Sequence, residues 1–385
     1  MATATGISWA APTETEWLLH SAGLRGDVEA QLRVLAREEL YIGAPKADVD
    51  ARPDLVHWPS YRDPSGWLCK PVLTRGMLPP WHPDWVFHDV SLEWIADFGW
   101  RGPNQLLAVN AGTPAQLFLP AAPEHRAMWR RVHEETERPR GARLIALRHG
   151  ALHGPLAYGL ACGAHLATGS GVPWNEVGTV HHGYAGQLAA LRSSWNITEP
   201  TSFRRQLDIL LDARNSPPEP DFVLGVREEL RAGLGEPPPA ELWRETAAGH
   251  AQDIGLGDAT VRHVEELVRR IIRYEARFRA DGLLEPDGRV TTTVAYDYAR
   301  AVNLARCGLE ARFCTPHEAE QAIVYAGALS KSAHRSWEDF SAGYALGRVL
   351  RFDEESYGPF YQQSLDAHRV LTEHEGSPWR NLPWR

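Results

Sequence analysis

The stretch Ala295-Tyr-Asp-Tyr-Ala-Arg-Ala-Val-Asn-Leu-Ala-Arg-Cys-Gly constrains the fold of this chain more than any other. At about 100° per residue, small and apolar side chains cover almost its whole circumference, which predicts a helix enclosed by other helices. The same stretch carries Asp297, Arg300, Asn303 and Arg306. Asp297 and Arg300, three apart, can pair on one helical face. A buried ion is costly alone, so these groups are expected to hydrogen-bond one another. A second set follows at Trp337, Glu338, Phe340, Tyr344, Gly347 and Arg348, and Gly343 and Gly347, four apart, would let another helix approach closely. Two readings are open. One is an internal ionic network that fixes helix packing. The other is a polar ligand or catalytic pocket built from Asp297, Arg300, Arg306, Tyr344 and Arg348, with arginine clamping an anion bidentately.

Composition narrows the class. The chain has 385 residues, 43% apolar and 23% charged, which excludes wholesale disorder and a polytopic membrane protein. The length suggests two to three domains. A net charge of −9 argues against nucleic acid as the main partner, because binding phosphates needs a basic field. Arginine supplies 37 of the 40 basic residues, with lysine only at Lys46, Lys70 and Lys331, a bias that points to a GC-rich bacterial genome. The four cysteines form no C-x-x-C pair and read as buried free thiols of a reducing cytosol. Met1-Ala-Thr-Ala-Thr-Gly-Ile-Ser-Trp has neither the basic nor the apolar run of a secretory leader. The most apolar later stretch, residues 156–168, is too short to span a bilayer and contains His165. A cytoplasmic location is therefore expected.

The expected fold class is α+β: a small mixed N-terminal domain over residues 13–133, a charged linker at 134–143, and an all-α domain over 144–385. In the first domain, 14–39 has helical spacing, 40–45 reads as a strand stopped by Pro45, and 67–73 as a second strand with Pro71 at an edge or an end. Residues 84–98 fit strand or helix, 106–110 and 116–120 form a hairpin around Asn110-Ala-Gly-Thr-Pro, and 124–135 closes the domain as a helix. In the second, helices are expected over 144–168 (broken by Gly154-Pro155), 201–214 and 260–280. Gly282 is a natural stop for the last of these. Thr315-Pro-His-Glu starts another with a capping box, and Ser336-Trp-Glu-Asp is a weaker start. The Pro-rich pieces after Ser216 and Glu236 read as rigid spacers.

Familiar catalytic and nucleotide-binding motifs are absent: there is no P-loop, G-x-G-x-x-G, G-x-S-x-G or H-E-x-x-H. His149 and His153 could share a helical face near His165, His181 and His182. Gly150 and Gly154-Pro155 weaken that helix, and no glutamate follows His149 as a base, so no metal and no cofactor are expected. Of the fifteen tryptophans, two lie in the tail Ser377-Pro-Trp-Arg-Asn-Leu-Pro-Trp-Arg, which is expected to dock back on its own domain.

The C-terminal half resembles the bacterial domain-of-unknown-function family 1266. The matching pieces are Ser194-Trp-Asn-Ile-Thr, Tyr296-Asp-Tyr-Ala-Arg-Ala-Val-Asn-Leu-Ala-Arg-Cys-Gly, Ser336-Trp-Glu-Asp-Phe with Tyr344 and Gly347-Arg, and Ser377-Pro-Trp-Arg-Asn-Leu-Pro-Trp. Cys307 stands where an aromatic would be expected. That family carries no established activity, so the resemblance bears on fold. Residues 13–130 resemble an SseB-type N-terminal domain through the first helix, Glu38-Glu-Leu-Tyr-Ile and Leu107-Ala-Val-Asn-Ala-Gly-Thr-Pro. That resemblance implies secretion-system neighbourhoods and protein contacts. The expected function is a non-catalytic binding or adaptor protein, a secretion accessory or toxin-neutralising partner with an unidentified protein client. The alternative is an enzyme acting on an anionic small molecule through the Asp/Arg/Tyr set.

Overall fold

The computed structural model describes residues 9–100, 105–138, 141–178 and 180–384. The fold is α+β, with small sheets confined to the N-terminal part and helices dominating the rest. The predicted helix over 14–39 is two helices, Glu14–Leu24 and Val28–Arg37. Gly26 breaks it by taking a left-handed φ of 66°, and the Asp27 carboxylate then caps the second helix by accepting from Ala30 N at 2.9 Å.

Strand Leu40–Pro45 pairs antiparallel with Trp85–Val90. A second sheet has the order Tyr61–Arg62, Leu68–Val72, Gln105–Val109, Leu117–Pro120, with only its middle pair parallel. A bridge between Tyr41 and Leu73 joins the two sheets. Pro71 is tolerated because Tyr61–Arg62 covers only Leu68 and Cys69, so no strand needs a donor from Pro71 on that side. Residues 84–98 resolve into strand Trp85–Val90 and helix Leu92–Asp97, the latter capped by Ser91. The hairpin forms as expected, and helix Pro123–Glu135 closes this part by burying Trp129 and Val132. Pro139 and Arg140 of the expected linker, and residues 1–8, lie outside the described residues.

The helical reading of 144–168 needs correction. Residues 144–153 are not helical, and Gly154-Pro155 begins a helix instead of breaking one. Gly154 supplies a φ of 83°, and Pro155 fits the first turn, where its missing N–H would have no partner. Helices Gly154–Cys162 and Ala164–Ser170 meet at Gly163. The capping box at Thr315 and Glu318 and the cap at Ser336 form as expected, and Gly282 ends helix Asp258–Asp281 in the left-handed region.

Helix Ala295–Glu310 runs through the interior, and all of its residues except Asn303 are buried. It packs on helices Pro200–Leu211, Pro316–Ala333 and Trp337–Phe352. Gly308 is required there, since a Cβ would lie 2.1 Å from the Phe203 ring. A second core gathers Trp243, Val264, Ile271, Tyr274, Phe278 and Tyr361. The tail docks back on the bundle: the Trp379 ring stacks on Trp337 at 5.5 Å, and Trp384 meets Trp337 edge-on at 4.7 Å. All four cysteines are buried and free.

Candidate functional site

The predicted ionic residues separate into different settings. The Asp297 carboxylate accepts from the backbone N–H groups of Asn215 and Ser216, both at 3.0 Å, from Ser216 Oγ at 2.6 Å, and from Arg300. The Arg300 guanidinium also lies over the Tyr296 ring at 4.0 Å and donates to Ser216 Oγ at 3.0 Å. Together these two residues pin the loop after helix Pro200–Leu211 onto the central helix. Arg306, by contrast, donates to the Pro173 carbonyl at 2.5 Å, and burial pulls its guanidinium down to about 10. Asn303 contacts Cys307 Sγ at 3.7 Å. Tyr344 is buried and stacks on His165 at 4.1 Å, and burial raises its hydroxyl to about 12. Arg348 donates to Gln363 and lies over Phe360. Glu338 is exposed and lines a cavity of about 360 Å³ with Arg289, Arg335 and His368. The structure thus joins Asp297 to Arg300, sets Tyr344 against Tyr296 and within electrostatic reach of Arg300 and Arg348, gives Arg306 a separate partner, and leaves Glu338 on a different cavity.

The histidine spacing does not survive either. His149 lies in a turn and His153 precedes helix Gly154–Cys162, so the two share no helical face. Among the described residues no group of three or more His, Cys, Asp or Glu is placed to hold a metal ion.

A cleft between the N-terminal and helical parts has a volume of about 520 Å³, within the size range of small-molecule sites. Its polar groups are Thr13, Glu14, Thr15, Glu38, Arg75, Arg143 and His374, and Leu144, Ile145 and Val370 line it with hydrocarbon. Glu38 ends helix Val28–Arg37 in extended conformation, with one residue between it and strand Leu40–Pro45. Arg75 opens the short 3-10 turn Arg75–Met77, held down because Gly76 N donates to the buried Glu16 carboxylate at 3.1 Å. Arg143 comes from the non-helical segment before Gly154, and its Nη1 is 3.8 Å from Glu38 Oε1. Burial pushes the Glu38 carboxyl above the usual range, opposed by Arg143, Arg75 and a hydrogen bond from Thr15. Arg75 also donates to the Val180 carbonyl at 2.5 Å and lies over Tyr41 at 5.1 Å. It therefore touches the cleft and both flanking parts.

Residues 190–384 match the family described as protein of unknown function, DUF1266. The chain belongs to DUF1266. No curated protein and no solved structure matches it. The DUF1266 match covers the whole central helix with Asp297 and Arg300, and it contributes Val370 and His374 to the cleft. Glu38, Arg75 and Arg143 lie outside the matched residues.

Sequence reasoning missed several polar pairs inside this DUF1266 protein. Arg227 and Glu275 are both buried and meet at 3.0 Å, while Glu275 also accepts from Val290 N at 2.8 Å. His165 Nε2, Ser341 Oγ and His368 Nδ1 form a buried chain with steps of 2.9 and 2.8 Å. Glu310 accepts from the backbone of His181 at 2.8 Å, and burial raises its carboxyl to about 8. These partners are far apart in sequence, so no helical spacing advertises them.

Proposed function

We propose that this protein is a non-catalytic binding protein of the bacterial cytoplasm that holds a small ligand in the cleft between its two parts, in an adaptor or toxin-neutralising role toward a protein client. The observation that carries this reading is the double engagement of Arg75. It lines the cleft and also fastens the N-terminal part to Val180 of the helical part. A ligand that engages this guanidinium is sensed by both parts at once. The cleft offers binding groups: two guanidiniums, two hydroxyls, two carboxyls and one imidazole. Thr13 Oγ1 donates to Glu16 and Thr15 to Glu38, so both hydroxyls are already ordered at the cleft. An SseB-like N-terminal part would accord with client binding, and the net charge of −9 favours a basic client through its association rate.

The test is a thermal-shift screen of a small-molecule library, followed by calorimetry on wild type and Arg143→Ala. Hits that lose affinity in Arg143→Ala and keep it in Arg204→Ala, which removes an exposed ion pair outside the cleft lining, support the reading. Hits indifferent to Arg143, or no hits, overturn it.

An enzymatic reading rests on one observation, the Ser341 hydroxyl held between two imidazoles with His368 reaching a cavity. Labelling of Ser341 by a fluorophosphonate would favour it, and a folded protein that stays unlabelled would remove it.

A further inference from the structure

Resting on the binding-protein reading above, we infer that the cleft takes a monocarboxylate with an apolar body, and that Glu38 takes up a proton when it binds.

The argument begins with shape. Leu144, Ile145 and Val370 line the cavity with hydrocarbon, and Arg75 and Arg143 line it with guanidiniums. A cavity of about 520 Å³ is several times larger than a bare inorganic ion needs, so the apolar lining requires an apolar body to cover it. The head group is set by the guanidiniums, whose forked donors match a carboxylate.

Charge then restricts the ligand further. The groups acting on Glu38 are Thr15 and Glu16 from the first helix, Arg75 from the turn after strand Leu68–Val72 and Arg143 from the segment before Gly154, while Glu14 and His374, the latter just beyond helix Pro359–Glu373, share the cavity lining. Two arginines and two glutamates, Glu14 and Glu38, line the cavity, so the lining is near neutral while both carboxylates are ionised. Arg143 and Glu38 are 3.8 Å apart, longer than the roughly 2.7–2.9 Å of a charge-assisted hydrogen bond. The Arg143 fork is thus incompletely used, and an incoming carboxylate competes with Glu38 for it. Two carboxylates cannot share this guanidinium in a half-buried site without strong repulsion. A proton from solvent converts Glu38 from carboxylate to carboxylic acid, the neutral group donates its O–H to the ligand head, and the lining gains one net positive charge. That single charge matches a monoanion and disfavours a dianionic phosphate monoester. Burial already raises the Glu38 carboxyl above its ordinary range, so the proton is taken up at modest cost.

The experiment is titration calorimetry of the full chain at pH 7.5 with octanoate, benzoate, phenyl phosphate and neutral benzyl alcohol, repeated in Tris and in Pipes. These buffers differ in ionisation enthalpy, so proton uptake appears as a heat that depends on the buffer. Octanoate and benzoate should bind at least tenfold tighter than phenyl phosphate or benzyl alcohol, with buffer-dependent heat. Arg143→Ala should weaken octanoate at least tenfold. Glu38→Gln should bind octanoate as tightly as wild type or tighter and lose the buffer dependence, while His374→Asn should keep it. Carboxylates that bind with buffer-independent heat, or whose buffer dependence survives Glu38→Gln, overturn the proton linkage and leave the cleft reading standing. Phenyl phosphate binding as tightly as benzoate overturns the ligand class. If library hits map to Arg143 but no carboxylate binds, this inference alone falls; if no ligand responds to Arg143→Ala, both fall.

Discussion

Gly159 packs directly on the backbone of Ile323: a Cβ at residue 159 would sit 2.2 Å from the Ile323 carbonyl oxygen. Gly327, one turn further on, meets the Gly159 Cα in the same way, with a gap of 2.9 Å to a built Cβ. Helices Gly154–Cys162 and Pro316–Ala333 therefore touch main chain to main chain, and no rotamer change can relieve an added methyl.

Gly159→Ala is expected to destabilise the fold by about 2–4 kcal/mol through overpacking. Gly225→Ala supplies the contrast. Gly225 is exposed within helix Glu219–Leu234 and a Cβ there meets nothing within 4 Å, so alanine should stabilise by about 0.5–1 kcal/mol. Urea unfolding of both variants decides it; equal effects would refute the close-contact account.

Asp297→Ala removes the acceptor for two backbone N–H groups, a serine hydroxyl and Arg300. Leaving that guanidinium buried without its partner should cost about 3–5 kcal/mol. In a double-mutant cycle with Arg300→Ala, the paired loss should be clearly less than the sum of the single losses. Additive losses would mean that the two side chains act independently.

The Arg227–Glu275 pair invites a different comparison. Glu275→Leu alone should cost about 3–5 kcal/mol, because it strands Arg227 in the core. Replacing both partners, Arg227→Met with Glu275→Leu, should recover most of that loss, since desolvating two ions offsets their attraction. Recovery is limited by Val290, whose N–H and carbonyl both bond to this pair. Midpoints of chemical unfolding for the two variants give the answer.

Stability should fall at both ends of the pH range. Glu310 is raised from 4.5 to about 8 in the folded protein, so its contribution is complete below the unfolded value and is lost as pH rises through about 8. His165 and His181 are pushed well below 6.5 by burial, so their contribution is present above 6.5 and is lost as pH falls toward their depressed values. Thermal midpoints measured from pH 5 to pH 9 should show both limbs. Glu310→Gln should flatten the alkaline limb and leave the acid one; an unchanged alkaline limb would exclude Glu310 as its source.

Much of the fold was legible because the relevant information is local. The capping box of Thr315 and Glu318, the stop at Gly282, the hairpin at Asn110 and the enclosed helix Ala295–Glu310 each arise from residues within a few positions of one another. The pairing of Asp297 with Arg300 was legible for the same reason, being three residues apart. Errors arose where glycine or proline had two local meanings. Gly26 split one expected helix, and Gly154-Pro155 started a helix where a break was expected, because both dipeptide readings fit an isolated window.

The sequence by itself determined the helical periods, the caps, the α+β division and the salt bridge within one helical turn, since backbone sterics and short-range hydrogen bonds act between near neighbours. Only tertiary structure decided that Arg75, Glu38 and Arg143 would face one cleft, that Arg306 would turn to Pro173, and that Ser341 would lie between His165 and His368, which are 176 and 27 residues away from it. Those partners meet only after the chain has closed long loops around shared cores. Which distant side chains then come into contact depends on how whole helices pack, and no short window of residues encodes that.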